Sequence, residues 1–278
     1  MTVCICTRGR PDNLALALAS TGGSTYPVSQ VVVSDDLHDP ATEVVCHDAI
    51  VDVDYVLGPR RGLGANRNRA IAASNGEIVL FIDDDCVLPP EFLETALKRM
   101  QSAEHRYGAG LVIVSGRVLE RGQLIAPGDQ TFLGFQSKRY TRSDGLRSIV
   151  MAATIFPARL FSAVRFDPEL VYGYDEVDLA TRAVATGYTI VDCPAAIVEH
   201  RPSNIGRERN LSYSEASRLH VTLRRYAITE RAPLRAVAFA IAAPIHHIAA
   251  NVRRRGLIGL GIALRTIGLA AVMAWRSR

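Results

Sequence analysis

Three consecutive carboxylates, Asp83, Asp84 and Asp85, directly follow an apolar segment at residues 78–82. That segment contains Val, Ile and Phe and predicts a buried strand, and ligands of open α/β sheets lie beyond the carboxyl ends of such strands. In an extended chain Asp83 and Asp85 would project to one side while Asp84 points away. Two converging carboxylates suit Mg²⁺ or Mn²⁺, which take further ligands from water and substrate phosphates. We therefore predict a metal site here; a solvated acidic turn is the alternative.

A basic, glycine-containing loop precedes this strand. Residues 60–69 contain four arginines and two asparagines around the expected start of a helix. Free backbone N–H groups and guanidinium groups at such a position suit a phosphate. The loop lacks the Gly-Lys-Ser/Thr ending of a Walker loop, and Gly62-x-Gly64 has no third glycine to complete a dinucleotide fingerprint. We predict phosphate contact, with a solvated basic helix face as the alternative.

Further polar groups follow in the second half of the chain. Asp175, Glu176 and Asp178 lie in the first turn of a predicted helix, where acidic residues ordinarily complement the helix dipole. His200 directly follows a predicted strand, and a lone histidine there is more often structural than a ligand. The residues alone leave both the structural and the functional interpretation open.

The composition predicts a cytoplasmic protein with a sizeable core. The chain has 278 residues, 48% of them hydrophobic, which is enough for one large domain or for a domain with an extension. Its net charge of +4 is modest and does not indicate nucleic-acid binding. Five scattered cysteines without zinc or redox spacing suit reduced thiols. The chain starts with a strand pattern rather than a basic region and an apolar signal core, so we expect no secretion.

Alternating strand and helix patterns predict an α/β fold with a mostly parallel sheet flanked by helices. Short loops would then bring Asp36, Arg67 and residues 83–85 to one end of the sheet, in one crevice. We expect the polar residues 120–148 to shape an acceptor pocket and residues 202–212 to form a mobile flap. The predicted strands are 2–7, 30–34, 51–57, 78–82, 111–119, 188–191 and 196–199, and the predicted helices are 13–20, 65–74, 91–102 and 172–186.

The C-terminal part of the chain differs in character. We divide the chain into a catalytic domain at residues 1–205 and a helical, basic and apolar extension at residues 206–278. Residues 232–250 and 256–275 predict helices, but Arg265 near the centre of the second would be costly inside a bilayer. The arginines that flank the apolar faces favour peripheral contact with an anionic membrane on its cytoplasmic side. Docking on the catalytic domain or on a second subunit of a homodimer is the alternative.

Five sequence blocks together resemble the family 2 glycosyltransferases of the GT-A fold, over most of residues 1–200. The blocks occur in the order VCICTRGRP, VVVSDD, GLGANRNRAIAASNGE, FIDDDCVLPPEFLE and FDPELVYGYDEVDLATRAVATGY. The resemblance implies a metal-dependent enzyme of class EC 2.4, a hexosyltransferase. It would move a sugar, with inversion, from a nucleotide diphosphate donor to an acceptor hydroxyl. UDP is the favoured donor nucleotide, and a glycan, a lipid-linked molecule or a small molecule is the acceptor.

The resemblance also implies roles for individual residues. The nucleotide-sugar would contact six residues, namely Thr7, Arg10, Asp36 as reader of the base, Arg67 at the base or diphosphate, Asp83 at the ribose, and Asp84. Asp85 would bind the divalent cation, Mn²⁺ or Mg²⁺, with His200 as a further ligand. Glu176 corresponds to the general base that deprotonates the acceptor, with Asp175 beside it. Because the acidic pair is reversed relative to the usual Glu-Asp order, either carboxylate remains a candidate base.

Two other functions stay open from the sequence. A sugar-phosphate nucleotidyltransferase would share the nucleotide-binding α/β architecture, but the glycine-rich, lysine-bearing N-terminal loop of that class is missing. A non-catalytic module of the same fold would bind nucleotide weakly, or dock on a membrane, without transferring a sugar. Leu37 and His38 replace the glycine and serine that the family commonly carries, and this departure weakens the assignment of the donor's nucleobase.

Overall fold

A ten-stranded sheet lies at the centre of the molecule, in a computed structural model that describes residues 1–202 and 211–277. The strands in these ranges are β1 Thr2–Thr7, β2 Gln30–Asp35, β3 Val53–Leu57, β4 Ile78–Asp83, β5 Cys86–Val87, β6 Val112–Glu120, β7 Gln123–Ile125, β8 Gly128–Gln130, β9 Gln136–Arg139, β10 Asp144–Leu146, β11 Thr154–Pro157 and β12 Thr189–His200. The sheet runs in the order β10-β12-β6-β11-β4-β1-β2-β3, with β5 beside β12 and β7 beside β6. Strands β8 and β9 form a separate hairpin.

Parallel pairing dominates the part of the sheet that carries the acidic turn. Strands β3, β2, β1 and β4 are parallel neighbours, and β6 pairs in parallel with β12. Strand β11 runs antiparallel between β4 and β6. The carboxyl ends of β1, β2 and β4 therefore meet at one edge, as the sequence predicts. The helices are α1 Pro11–Gly22, α2 Pro40–His47, α3 Leu63–Ala73, α4 Phe92–Tyr107, α5 Leu160–Ala163, α6 Asp175–Ala185, α7 Leu211–Arg224 and α8 Pro233–Arg276.

Strand β4 is buried on both faces because its side chains alternate between two apolar layers. Leu80 and Ile82 pack in the layer that contains α1 and α4, whereas Val79 and Phe81 pack in the layer that contains α3 and α6. Burial of each such side chain contributes about 1.5–3 kcal/mol. The prediction of a central strand buried on both sides is therefore confirmed.

Each predicted strand and helix has a counterpart in the described residues, but the structure differs in several places, and β5, β11, α5 and α7 are further elements whose bounds the sequence patterns do not predict. Helix α2, which begins after Asp39, was not predicted from the sequence. The two strands predicted at residues 188–191 and 196–199 form the single strand β12, whose register shifts between Asp192 and Ile197. The polar stretch at residues 120–148, whose form the sequence does not fix, contains four short strands, β7 to β10.

The C-terminal helices form a hairpin on the side of α7. Gly256 has a non-helical backbone with a positive φ of +57°, so α8 consists of two arms, residues 233–255 and 257–276. Gly259 packs directly on the backbone of Asn251, and Phe239 of the first arm shares an apolar cluster with Met273 of the second. The two arms are therefore antiparallel, and the prediction of two helices is confirmed. By length and composition alone, α8 would suffice to cross a membrane.

The end of the hairpin reaches the turn before α6. The Ser277 hydroxyl donates a hydrogen bond of 2.8 Å to Asp167, which also pairs with Arg224 of α7 at 2.7 Å. The predicted domain boundary at residue 205 and most of the predicted flap at residues 202–212 lie outside the described residues and stay predictions.

The glycine-rich segment before α3 packs against this same turn. The N–H of Leu63 donates to the carbonyl of Val171, and the N–H of Gly64 donates to the carbonyl of Leu170. A Cβ atom at Gly64 would lie 2.3 Å from the carbonyl oxygen of Asp167. Gly64 is therefore required by the close approach of two backbones.

We expect Gly64→Ala to lower the free energy of unfolding by about 1–3 kcal/mol, the usual cost of overpacking. Gly268→Ala is the matched control, because a Cβ atom at this helical glycine meets nothing within 4 Å. This control should be neutral or should stabilise the protein by up to about 1 kcal/mol, since alanine is the better helix former. Urea unfolding measures both changes, and an unaltered stability of the Gly64 variant would contradict the close packing.

Candidate active site

The acidic turn lies where β4 ends, and its three carboxylates have different surroundings. The side chain of Asp83 is 40% exposed, that of Asp85 is 10% exposed, and that of Asp84 is fully buried. Asp84 thus points into the protein while Asp83 and Asp85 do not, although residues 84–85 form a turn rather than the extended chain on which the prediction was based. Asp83 and Asp85 are the two members of the turn that solvent reaches.

Asp84 holds the end of β1 and the start of α1 together beneath the turn. It accepts a hydrogen bond of 2.7 Å from the Thr7 hydroxyl and forms an ion pair of 2.7 Å with Arg10. Burial raises the pKa of Asp84 to about 7, although Arg10 and Thr7 act in the opposite direction. The folded state therefore retains a proton that the unfolded state releases, so the contribution of this carboxyl to stability falls as the pH rises towards 7.

Asp85 faces His200, which arrives from the other half of the sheet. The last residues of β12 pair with β5, directly after the turn, and this pairing sets His200 opposite Cys86. The His200 Nε2 atom lies 3.1 Å from Asp85 Oδ1, and its Nδ1 atom lies 2.9 Å from Glu120 Oε2. Burial would raise the pKa of Asp85, but hydrogen bonding to His200 and the charge of Arg10 lower it below its ordinary value.

The residues around Asp85 fit a divalent cation. Ligand atoms of Asp85, Cys86 and His200 lie within 4.8 Å of one another. A carboxylate with an imidazole is a donor set suited to Mn²⁺, whereas Mg²⁺ prefers oxygen ligands. Glu120 holds the second ring nitrogen of His200, the arrangement that orients metal-binding histidines in proteins. Burial raises the pKa of the Cys86 thiol far above its ordinary value, which disfavours the thiolate form that binds metals.

Arg67 connects the acidic turn to the start of α6. Its guanidinium group pairs with Asp175 and, at 3.2 Å, with Asp83, and it lies over the ring of Phe166 at 5.5 Å. Its side chain is almost completely buried. Arg67 therefore balances two carboxylates within the protein, in a position where a third anion would compete for it.

Glu176 lies beside this group and is only partly buried. Burial raises the pKa of Glu176, and the charge of Asp83 acts in the same direction. Arg67 and a hydrogen bond with the Gln136 side chain lower this pKa in part. Asp175, in contrast, is buried and paired with Arg67. The two neighbouring carboxylates thus have separate environments, and Glu176 is the more accessible of the two.

Several backbone N–H groups of the basic loop are used within the protein and are not the free donors that the sequence predicts, whereas phosphate contact by the loop stays a prediction. Both oxygens of Asp36 accept hydrogen bonds from this loop, from the N–H groups of Arg60 at 2.6 Å and Gly62 at 3.3 Å. The next two N–H groups donate to carbonyls of the turn before α6. The loop therefore uses its donors for internal packing. Asp36 itself is buried at the carboxyl end of β2, where its contact with a base stays a prediction.

Sequence reasoning brought most of the site together but missed Glu120 and Gln136. Glu120 ends β6, and the parallel register of β6 with β12 sets it beside His200. The position of this carboxylate at a strand end could be predicted from the sequence, but the strand that pairs with β6 could not. Gln136 lies in the polar stretch before α6, which carried no recognisable motif.

Comparison with known proteins gives the family and the fold. Residues 2–161, more than half of the chain, match the family model described as Glycosyl transferase family 2. The glycosyltransferase AglD of Haloferax volcanii is 24% identical over 169 residues, which are 59% of this chain and 27% of AglD. The chain thus spans about a quarter of the length of that curated relative.

Solved structures are similar in fold at low sequence identity. GalNAc-T7 with UDP, GalNAc and Mn²⁺ has a TM-score of 0.64 at 14% identity, over 82% of this chain and 48% of that chain. The mannosyltransferase PcManGT from Pyrobaculum calidifontis, with GDP-Man and Mn²⁺, has a TM-score of 0.59 at 18% identity, over 98% of this chain and 74% of that chain. The predicted GT-A fold is confirmed.

We expect Thr7→Val to lower the free energy of unfolding by about 1–3 kcal/mol, because the buried Asp84 would lose a hydrogen-bond donor without a change in side-chain size. Thr7→Ser keeps the donor and serves as the control. Chemical denaturation at neutral pH measures the difference between the two variants. Equal stability would show that Asp84 does not depend on the Thr7 hydroxyl.

Proposed function

Because the chain belongs to glycosyl transferase family 2, we propose that it is a metal-dependent, inverting enzyme that transfers a sugar from a nucleotide diphosphate, with UDP favoured, to an acceptor hydroxyl. Transferase activity of class EC 2.4 follows from the family. This family match also favours a glycosyltransferase over a nucleotidyltransferase or a non-catalytic module. The proposal of a metal-dependent enzyme rests on the pair of Asp85 and His200, whose side chains lie 3.1 Å apart at the sheet edge that also bears Asp83.

Asp85 and His200 would hold the divalent cation. When bound, the cation would neutralise negative charge on the diphosphate leaving group. Mn²⁺ is present in both similar structures, which supports a divalent metal in this fold without deciding between Mn²⁺ and Mg²⁺. Glu120 fixes the ring of His200, and Arg10 holds the other oxygen of Asp85 at 2.9 Å. The chain thus orients both ligands before a donor binds.

Glu176 would accept the proton of the acceptor hydroxyl. Its raised pKa makes its carboxylate a stronger base than an ordinary glutamate, and its partial exposure allows contact with an acceptor. As the acceptor oxygen attacks, the bond between the sugar and the diphosphate breaks, and the anomeric carbon inverts. Asp175 would act as a positioning residue, because its buried pair with Arg67 holds the start of α6.

The remaining predicted residues would serve the donor in two ways. Asp83 is accessible and would approach the ribose, and Asp36 lies at the strand end where the base is expected. Four further residues contact other parts of the protein, namely Thr7, Arg10, Arg67 and Asp84. These contacts support a role in shaping the donor site, in addition to any direct contact with the donor. The similar structures contain UDP in one case and GDP-Man in the other, so the preference for UDP is part of the proposal.

The acceptor is a glycan, a lipid-linked molecule or a small molecule in this proposal. Five free, buried cysteines support a reducing, cytoplasmic location. A homodimer remains part of the proposal as well.

We expect Glu176→Gln to reduce kcat by about 10²–10⁴-fold while donor affinity is retained, because the variant loses the general base only. Asp175→Asn should instead lower the free energy of unfolding by about 3 kcal/mol, since it removes the buried partner of Arg67 and leaves only the partly exposed Asp83. Transfer kinetics and urea unfolding of both variants separate the two roles. Loss of kcat without loss of stability in the Asp175 variant would instead identify Asp175 as the general base and Glu176 as the positioning residue.

The pH profile gives a second readout of Glu176. Because its pKa is raised, the carboxylate forms only above the ordinary glutamate range, so kcat/KM should rise with pH across that higher range. An acidic limb at the ordinary glutamate pKa would contradict the assignment.

We expect a nucleotide-sugar to raise Tm only when Mn²⁺ or Mg²⁺ is present, and Asp85→Asn to abolish this shift. Asp48→Asn, an exposed acid on the surface, is the matched control and should behave as the unchanged protein. A panel of UDP-, GDP- and dTDP-sugars tests the nucleotide. Stabilisation by GDP-sugars alone would refute the UDP preference but not the metal site, whereas equal shifts with EDTA would refute metal dependence.

A further inference from the structure

Each arm of the C-terminal hairpin has an exposed apolar stripe opposite its buried face. In the first arm the residues buried against the protein are Ala236, Phe239, Ala243 and His247. The exposed stripe consists of Leu234, Val237, Ile241 and Ile245, and Leu234 is 86% exposed. Both sets recur every three or four positions, about half a turn apart, so they occupy opposite faces of the helix.

The second arm repeats this arrangement. Its buried side is formed by Gly259, Ala263, Thr266, Ala270 and Met273. Its exposed stripe is formed by Leu257, Leu264, Val272 and Trp275, with Gly261 and Gly268 between them, and Leu257 is 86% exposed. Large apolar side chains at helical spacing over two adjacent arms form a surface that indicates contact with an apolar phase.

The C-terminal extension that carries these stripes also carries an excess of positive charge. Residues 231–278 contain eight arginines and no acidic residue, whereas residues 1–230 contain 24 basic and 28 acidic residues. The extension is therefore strongly positive and the rest of the chain is slightly negative. Arg253, Arg254 and Arg255 are all exposed at the turn of the hairpin, beside the exposed Leu257 and Ile258. The basic and the apolar groups thus form one surface.

We propose that this surface docks on an anionic lipid bilayer, with both arms lying in the plane of the headgroups. Exposed apolar stripes would enter the boundary of the acyl chains, and the arginines would contact phosphate headgroups. Trp275 has the amphipathic side chain that favours this boundary. A second copy of the chain is the weaker partner, because two such surfaces would bring arginines against arginines without an acidic residue to balance them.

The inner contacts of the hairpin explain why it lies on the bilayer rather than crossing it. His247 of the first arm lies 3.4 Å from Glu215 of α7, and Ser277 at the end of the second arm is bonded to Asp167. Both arms are therefore held against the protein by polar contacts that would have to break, with the polar groups left unpaired in hydrocarbon, if the arms crossed the bilayer. Arg265, exposed near the middle of the second arm, would be costly in a bilayer centre but not at a headgroup surface.

Co-sedimentation of the full chain with vesicles tests this proposal independently of any transferase activity. We expect binding to phosphatidylcholine vesicles that contain about 30% phosphatidylglycerol and at least ~10-fold weaker binding to phosphatidylcholine alone. The combined variant Leu234→Asp, Ile241→Asp and Ile245→Asp should lose binding. Val44→Asp is the matched control, because this apolar residue is 57% exposed on α2, outside the hairpin.

The arginines are tested separately from the apolar stripe. The combined variant Arg253→Gln, Arg254→Gln and Arg255→Gln should weaken binding to the anionic vesicles by about 100-fold and reduce its dependence on salt. Equal binding of the unchanged protein to neutral and anionic vesicles would overturn the electrostatic part of the proposal. Absence of binding, together with a dimer that the triple aspartate variant dissociates, would identify a second copy as the partner instead. Circular dichroism and Tm of each variant verify that it is folded.

Discussion

The pairing of the buried Arg67 with Asp83 and Asp175 is the interaction that holds the parts of the candidate site together. It joins α3, the end of β4 and the start of α6, three elements that come from distant parts of the chain. Burial of a charged group is costly unless its partners compensate, so the three side chains specify one arrangement of these elements. Because two carboxylates already neutralise the arginine, a further anion would have to compete with them for it.

Local sequence signals were sufficient for most of the fold. The strands at residues 2–7 and 78–82 were predicted because a continuous apolar run bounded by polar residues has few other solutions in a folded chain. Helix α2 was missed although its signal was present: Asp39 caps the helix through the N–H of Ala41, and proline follows in the first turn. Strand β12 was predicted as two strands because Pro194 and two alanines interrupt the β-branched pattern.

The site was predictable only where its chemistry lies within one segment. The acidic turn and the acidic start of α6 can each be recognised from residues adjacent in sequence. The partner of His200 depends on the order of strands in the sheet, since Glu120 is 80 positions away and becomes a neighbour only through the parallel pairing of β6 and β12. The internal use of the loop donors has the same cause, because two of their acceptors are carbonyls at residues 170–171, about a hundred positions later in the chain, and the other two are the oxygens of Asp36. Register between distant strands and turns is a property of the folded molecule.

The turn at Asp167 supports two parts of the molecule that are far apart in sequence. Gly64 packs on its backbone from one side, and Ser277 bonds to its side chain from the other. Arg224 and His220 of α7 hold the same carboxylate, so the end of the hairpin, α7 and the glycine-rich segment share one anchor. The last turn of α8 is therefore tied to the α/β part of the molecule, which opposes its fraying.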